Sequence, residues 1–506
     1  MESFAELRQA YQAAQDSRFT PRLTGVNRMG SGADFHYANE RHYLHMVERS
    51  RDFERNDMIV GQGIRRLVAN VMQDGFTPDP FTSDSDLNAR LKDKWDSWAN
   101  DEDACDSEGE RTFHDIENLT LHSTIRDGDV WHLLTDEGTM QTFEGHRPRT
   151  PRTRKNVVNG VMLDERNRRQ QVWLTREDVH PLRRVERVKE VQPYDFRNAD
   201  GMRQVLQCYF PTRFSQRRGI GSMVPVTDTI GIHGDVQFST LVKAQLAALV
   251  VFFRERDDNA MPGVGGPGIG LQNGENKAAD LPKPGIRQID GVQAGLDVTG
   301  FPGEKMKGFT PNIPNPEFFP HSTLLLTFIA VNLDLPVAVL LLDPSNTNFS
   351  GWRGAMEQAR VRYRQLQKCM LGKLHRPTWR WKVRQWYESD AQVRKTIDRI
   401  GWKDALRNKW KRPGWPYIEP FKDAQADNLQ QEKFLNSPRR LQSARGREWE
   451  EVAAEIVDDK SLLIRNAIKE AKAIHEETGV EISWRDLLGP GLSMESMPMP
   501  DATNGE

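Results

Sequence analysis

Between two apolar stretches of this chain stands MPGVGGPGIGLQNGENKAADLPKPGIRQIDGVQAGLDVTGF, residues 261–301, dense in glycine and proline. Proline removes backbone donors and glycine raises the entropic cost of order, so no long helix or strand can run through it. Upstream, GDVQFSTLVKAQLAALVVFFRER places Phe238, Leu241, Val242, Leu249, Phe252 and Phe253 on one helical face, with Lys243 and Gln245 off it. Downstream, PNIPNPEFFPHSTLLLTFIAVNLDLP restores a helix. The chain thus leaves along one apolar helix and returns along another. Composition alone suits a linker. The strand-like rhythm of IRQIDGVQAGLDV instead favours a small, loop-rich β module inserted between the two helices.

The 506 residues suffice for roughly two to four domains and a sizeable core. With 28% charged residues and a formal net charge of -2, the chain is not a globally basic nucleic-acid binder. Any handling of DNA must come from local geometry. Three dispersed cysteines without a CxxC indicate neither a disulfide framework nor a zinc site, which suits a reducing cytoplasm. The N-terminal MESFAELRQAYQAAQDSRF lacks the apolar region of a signal peptide. The run LLLTFIAVNLDLPVAVLLL, 324–342, approaches membrane-spanning length, but Asn332, Asp334 and Pro336 sit at its centre. A carboxylate there costs roughly 2.5–3.5 kcal/mol, so it reads as a buried soluble helix and a turn.

The polar first forty residues read as a flexible arm. From HYANERHYLHM, which starts at residue 36, apolar positions recur at helical spacing, and SDSDLNARLKDKWDSWAND reads as a capped helix. FHDIENLTLHSTIRDGDVWHLLTDEGTMQTFEGHRP reads as a helix followed by a strand pair, with tight turns at Asp127-Gly128 and Asp136-Glu137-Gly138. Short strands follow in VVNGVMLDE, QVWLTRE and VLQCYF, so the region is α+β. From Trp352 to Tyr387 a helix carries about ten Lys/Arg and one Glu, and Pro377 kinks it or ends its first half. Its basic face reads as solvated, salt-bridged or paired with a neighbouring copy, with direct contact to DNA as the alternative. The link KWKRPGWPYIEP leads to a helical region, RGREWEEVAAEIVDDKSLLIRNAIKEAKAIHEETG, and a disordered tail.

Catalytic motifs are missing. GVGGPGIG has no following Lys-Ser/Thr and no helix whose amides could cradle a phosphate. His42 and His45 stand one helical turn apart without a further metal ligand at zinc spacing. The acidic run DEDACDSEGE, 101–110, could be imagined as a two-metal nuclease site but reads as a charged, solvated surface turn. Neither a catalytic residue, nor a metal, nor a cofactor is expected.

Five stretches, in order, resemble the lambda-type portal proteins of tailed bacteriophages. They are ERSRDFERNDMIVGQGIRR (48–66), KWDSWANDEDACDSEGERTF (94–113), FPTRFSQRRGIGSMVPV (210–226), FIAVNLDLPVAVLLLDPSNTNFSGWRGAMEQ and GWPYIEPFKDAQADN (414–428). In the family the first is a helix leading to a glycine-containing turn. The third carries an R--Q-RG motif, here Arg213 (with Phe214 after it), Gln216, Arg218 and Gly219; the fourth includes Arg353. The chain departs from the family where Phe349 replaces a tyrosine and Gly351 a serine. Residues 255–312, and those after about Asp459, carry no match.

The resemblance implies an α+β portal fold: an arm at 1–39, a wing at 40–222, a first stem helix at 223–253 bearing Lys243 and Gln245, and a Gly/Pro-rich clip at 254–313. A second stem helix at 314–338, a tunnel loop at 339–352, a long basic helix at 353–413 joining wing and crown, a helical crown at 414–480 and a tail at 481–506 complete it. Asn346, Thr347, Asn348, Phe349 and Ser350 of the loop would touch double-stranded DNA without sequence preference. The implied partners are further copies in a closed ring of twelve, the terminase large subunit, and capsid, scaffold and head-completion proteins. The implied location is a capsid vertex of the virion, after assembly in the bacterial cytoplasm, with no membrane involved. Another head–tail adaptor and a metal-dependent DNA-processing enzyme are the alternatives.

Overall fold

The computed structural model describes residues 40–151, 156–180, 190–214, 216–248, 252–254, 297–299, 318–345, 347–415, 420–447, 449–480 and 482–487. The readings made for the arm, for nearly all of the inserted module, for Asn346 and for the end of the tail lie outside the described residues.

Helices α1 (Glu40–Asn56) and α2 (Met58–Met72) open the described chain. They part at Asp57, whose carboxylate accepts the amides of Ile59 and Val60, each at 2.9 Å. The family's glycine-containing turn was expected here, but Gly61 and Gly63 lie inside α2. Gly63 has a packing reason: a Cβ there would come within 2.7 Å of Leu333 and 2.9 Å of Leu340. Strand β1 (Thr77–Pro80) precedes α3 (Ser85–Ala99), which Asp84 caps through the Leu87 amide, as the sequence suggested. The short helix α4 (Glu102–Cys105) follows, then α5 (Phe113–Arg126) behind a Thr112–Asp115 capping box.

Seven strands come next: β2 (Asp129–Leu134), β3 (Met140–Glu144), β4 (Val157–Val158), β5 (Val161–Leu163), β6 (Arg169–Thr175), β7 (Val191–Asp195) and β8 (Val205–Tyr209). They form two antiparallel sheets, ordered β3-β2-β8 and β4-β5-β6-β7. Trp131, Leu133, Phe143, Val161, Val172 and Leu174 make one apolar cluster joining them. The turns at Gly128 and Gly138 have φ of 106° and 99°, values glycine reaches without a Cβ penalty.

Beyond a 3-10 turn at Val224–Val226, α6 runs over Thr227–Ala248. The sequence continued this helix through Phe253. Instead Phe252–Arg254 is a strand, β9, paired in parallel with β10 (Asp297–Thr299), which overlaps the last two residues of the expected strand-like stretch. Two consecutive aromatic residues favour extended backbone, and pairing with a distant strand outweighs helical periodicity.

Helix α7 (Phe318–Asn332) ends at a turn where Asp334 has a φ of 55°, and α8 (Val337–Leu341) follows. The apolar run 324–342 is therefore broken where its polar residues predicted. It is buried on one face only: Leu325, Leu326 and Ile329 are covered while Leu324, Phe328 and Val331 are exposed. Among the described residues no helix is long and apolar enough to cross a membrane.

The basic helix is α9 (Phe349–Met370), a π-helical turn at Leu371–His375, and α10 (Arg376–Ser389). The widened turn lies just before Pro377 and absorbs the missing donor without ending the helix. Helices α11 (Ala391–Ile400) and α12 (Trp402–Ala405) lead to β11 (Asn408–Lys411), which pairs antiparallel with β1. That strand falls in what sequence marked as a link. The helices α13 (Pro420–Glu432), α14 (Pro438–Ala444), α15 (Trp449–Thr478) and α16 (Trp484–Leu487) complete the chain, the last within the expected tail.

The described residues divide into two compact units, 40–63 with 221–345, and 64–220 with 347–487. In the first, α6 lies against α7, and His233 Nε2 stands 3.0 Å from Ser322 Oγ. In the second, tryptophans dominate: Trp95 packs against Trp98, Phe113, Trp379 and Trp410, all with ring centroids within 5.6 Å.

Candidate functional site

The polar loop is shorter than expected. Leu342, at a φ of 54°, ends α8, and Asn348 caps α9 by accepting the Gly351 amide at 2.7 Å. Phe349 and Ser350 thus belong to the first helical turn. The Ser350 hydroxyl donates to the same Asn348 oxygen at 3.2 Å. A Cβ at Gly351 would approach that oxygen to 2.8 Å, so glycine in place of the family's serine leaves the cap bond room. At the loop's entry the Asp343 carboxylate accepts the Ser345 amide at 2.9 Å, and hydrogen bonding from the Ser345 hydroxyl and amide holds it below the usual carboxylate range. Thr347 is half-buried, while Asn348, Phe349 and Ser350 are exposed. The described loop residues 343–348 carry one charge, and it is negative.

The R--Q-RG motif is a structural keystone instead of a contact surface. Gln216 accepts the Thr212 amide at 2.7 Å and donates to the Arg218 carbonyl at 2.9 Å, which folds residues 212–218 back on themselves. Arg218 is wholly buried. Its Nε and Nη2 donate to Asp129 at 2.7 and 3.0 Å, Nη1 donates to the Asn159 carbonyl at 3.1 Å, and Nη2 also reaches the Gly145 carbonyl. Asp129 further accepts from Gln207 at 3.0 Å and from the Gly219 amide at 3.2 Å. Of the motif, only Arg213 is exposed with Phe214 beside it.

The remaining expected residues are scattered. Arg353 donates to Asp423 of α13 at 3.0 Å, tying the start of the basic helix to the C-terminal helices. Lys243 and Gln245 are exposed on α6. Ile232, Phe238 and Leu241 of α6 and Phe319, Leu324, Phe328 and Val331 of α7 are exposed too.

Most of the acidic run is exposed, as its charge suggested, but several of its carboxylates are engaged locally. Asp101 caps α4 through the amides of Asp103 and Ala104; Asp106 is buried and paired with Arg111 at 3.0 Å, and Arg111 also reaches Glu108 at 2.6 Å and Glu110 at 3.6 Å. Among the described residues no group of three His, Cys, Asp or Glu could hold a metal ion. The side chain of His42, and with it the reading made for His42 and His45, lies outside the described residues.

Sequence reasoning missed Asp129, read only as part of a turn. It also missed Glu117, a buried carboxylate with Oε2 2.5 Å from His375 Nε2 and Oε1 2.9 Å from His114 Nδ1. That proximity to Glu117 raises the His114 pKa against the opposing effect of burial. The only available signal was polarity inside otherwise apolar element faces.

Three comparisons bear on this arrangement. The family described as phage portal protein, lambda family, matches residues 19–367. A probable portal protein of Halomonas phage phiHAP-1 is 23% identical over 457 residues, covering 85% of this chain and 81% of that protein. A chain from the virion of a native gene transfer agent particle shares 11% identity at a TM-score of 0.37, over 79% of this chain and 93% of the other. With more than half of its length matched, the chain belongs to the lambda family of phage portal proteins.

Proposed function

We propose that this chain is the non-enzymatic, ring-forming subunit of a capsid vertex, through which DNA is packaged and later leaves. The observation that carries the reading is the apolar surface left on α6 and α7, the helices either side of the inserted module. A lone chain exposing Phe238, Leu241, Phe319, Phe328 and Val331 leaves a face that a soluble protein covers. Its occupant is a second copy of the chain, since closure of a ring needs two different complementary patches on each subunit.

Within such a ring the loop 342–348 is the element suited to passing DNA. Each Lys or Arg fixed on a phosphate adds affinity that translocation must undo, and this loop presents none among its described residues. Residues 254–313, inserted between the apolar helices, are the dock we assign to the terminase motor and afterwards to head-completion proteins. The ATPase belongs to the motor.

Native mass spectrometry tests the assembly. Twelve copies of 58.0 kDa give about 700 kDa, and Phe238→Glu with Leu241→Glu is expected to reduce that species to small oligomers. A wild-type chain that stays monomeric or dimeric under assembly conditions overturns the reading. Deleting 262–300 is expected to abolish terminase docking while the ring persists; unchanged packaging by that deletant refutes the assigned dock.

A further inference from the structure

A cleft of about 590 Å³ opens between α10 and the strand-end turn 197–203, within the second unit. Arg376, Arg380 and Arg384 line one wall and Arg197 and Arg203 the other, with Trp381 and Trp402 between. An adjoining cavity of about 530 Å³ shares Arg197 and Arg203 and adds Arg168, Arg169 and Lys373. Among the described residues, neither cavity is lined by a carboxylate.

This concentration of like charge is not the salt-bridged helix face expected from sequence. That description holds for Arg353, paired with Asp423 at 3.0 Å, for Arg360, paired with Glu357 at 3.0 Å, and weakly for Arg384, 3.6 Å from Glu388, but not for the other arginines of the cleft. Arg203 feels the imbalance: desolvation first, then the charges of Arg197, Arg169 and Arg380, push its guanidinium down from the ordinary value, although the residue as a whole stays exposed. Like charges gathered with little counter-charge among the described residues destabilise a fold, so a cluster of this size points to an anion supplied from outside.

We propose that this cleft binds the phosphodiester backbone of nucleic acid at a site separate from the loop 342–348. Three features select that ligand. First, arginines four residues apart on α10 advance by about 6 Å per step, a spacing comparable with successive phosphates of one strand. Second, guanidinium forks over aromatic rings, such as Arg384 5.5 Å above Trp402 and Arg169 5.1 Å above Tyr209, make the mixed surface that nucleic-acid grooves use. Third, the rival ligand, an acidic segment of a second copy, has its best candidate in 101–110, yet three carboxylates there are already held by Arg111 of their own chain. The cleft admits a phosphate ridge and leaves the bases outside, so binding is independent of sequence. The inference goes beyond the proposed conduit: it concerns a site where DNA is held, whereas the loop lets it slide.

The test is fluorescence anisotropy with short duplex and single-stranded oligonucleotides over a salt series, using the full chain. Arg376→Ala with Arg380→Ala removes two exposed cations, and Lys460→Ala with Lys469→Ala removes two exposed cations of α15, outside the cleft. The cleft variant is expected to weaken binding about tenfold and to reduce the salt slope by about 2, while the α15 variant matches wild type. Duplex and single strand compared tell which form the cleft prefers. Equal loss in both variants, or none in the cleft variant, overturns the proposal. So does a poly-glutamate peptide that binds the cleft more tightly than either oligonucleotide, since the site would then take an acidic protein segment. Melting curves confirm that both variants fold, and native mass spectrometry of each separates failure of this site from failure of the ring.

Discussion

The guanidinium of Arg218 and the carboxylate of Asp129 face each other with neither exposed to solvent, 89 residues apart in sequence and 2.7 Å apart in space. The pair joins β2 to the segment that precedes the first apolar helix. Removing one member leaves the other charged and buried, which costs about 3–5 kcal/mol, whereas removing both costs far less. Arg218→Met and Asp129→Leu should therefore each lower the melting temperature sharply, and the double variant should recover much of the loss. Additive losses in the double variant would show that the two do not act as a pair.

Gly219 makes a second contact in the same place. A Cβ there would overlap the carbonyl of Gly128 and stand 2.9 Å from the Cβ of Tyr209. The obstacle is backbone, which cannot swing aside as a side chain does. Gly219→Ala is expected to cost more stability than Gly201→Ala, where nothing lies within 4 Å although φ is 76°. Thermal melts of the two variants decide it, and a smaller loss at Gly219 contradicts the packing argument.

Much of the second unit was legible because its signals are local. The glycine turn at 128 leads from α5 into β2 and that at 138 closes the first hairpin, and Asp84 and Thr112 announce two helix starts through their own backbone bonds. What failed depends on distant partners. Gly61 and Gly63 looked like a turn because nothing in the sequence says that Leu333 and Leu340 fill the space beside Gly63. Phe252 and Phe253 continued a helical rhythm, but β10 captures them as a strand. Asn408–Lys411 resembles a linker until Thr77–Pro80 supplies its hydrogen bonds. The candidate site behaved in the same way: the composition of the loop was readable, but not the cap that draws Phe349 and Ser350 into α9. The R--Q-RG motif could be recognised as important, yet its role as a buried clasp required Asp129. The arginine cleft was invisible because 197–203 and 376–384 meet only in three dimensions.

Asn348 sets where the polar loop stops. Its side chain satisfies the Gly351 amide, and replacing such a cap by alanine costs about 1 kcal/mol. Asn348→Ala should fray the first turn of α9 and lengthen the loop, seen as faster amide exchange at 349–352. Asn348→Ser should restore protection. Exchange unchanged in the alanine variant would mean that packing, not the cap, holds the turn.

Lys382 provides the pH-dependent prediction. Its ammonium is buried 3.2 Å from the Gly138 carbonyl and lies over the rings of Trp98 at 4.7 Å, Trp381 at 5.0 Å and Trp386 at 5.8 Å. Burial lowers its pKa to about 8, while an unfolded lysine keeps the ordinary 10.5. Below pH 8 both states are protonated and the folded chain bears the full desolvation cost. Between 8 and 10.5 the unfolded chain holds a proton that the folded chain has released, so stability rises with pH across that window. The gain is on the order of 1–3 kcal/mol, the three ring faces favouring the cation and drawing it toward the lower end. Lys382→Met keeps the stem and removes the titration. The difference in melting temperature, Lys382→Met minus wild type, should be positive at pH 7.5 and shrink as pH rises to 10. Parallel profiles for the two proteins would mean that the aromatic box accepts the charged amine without cost.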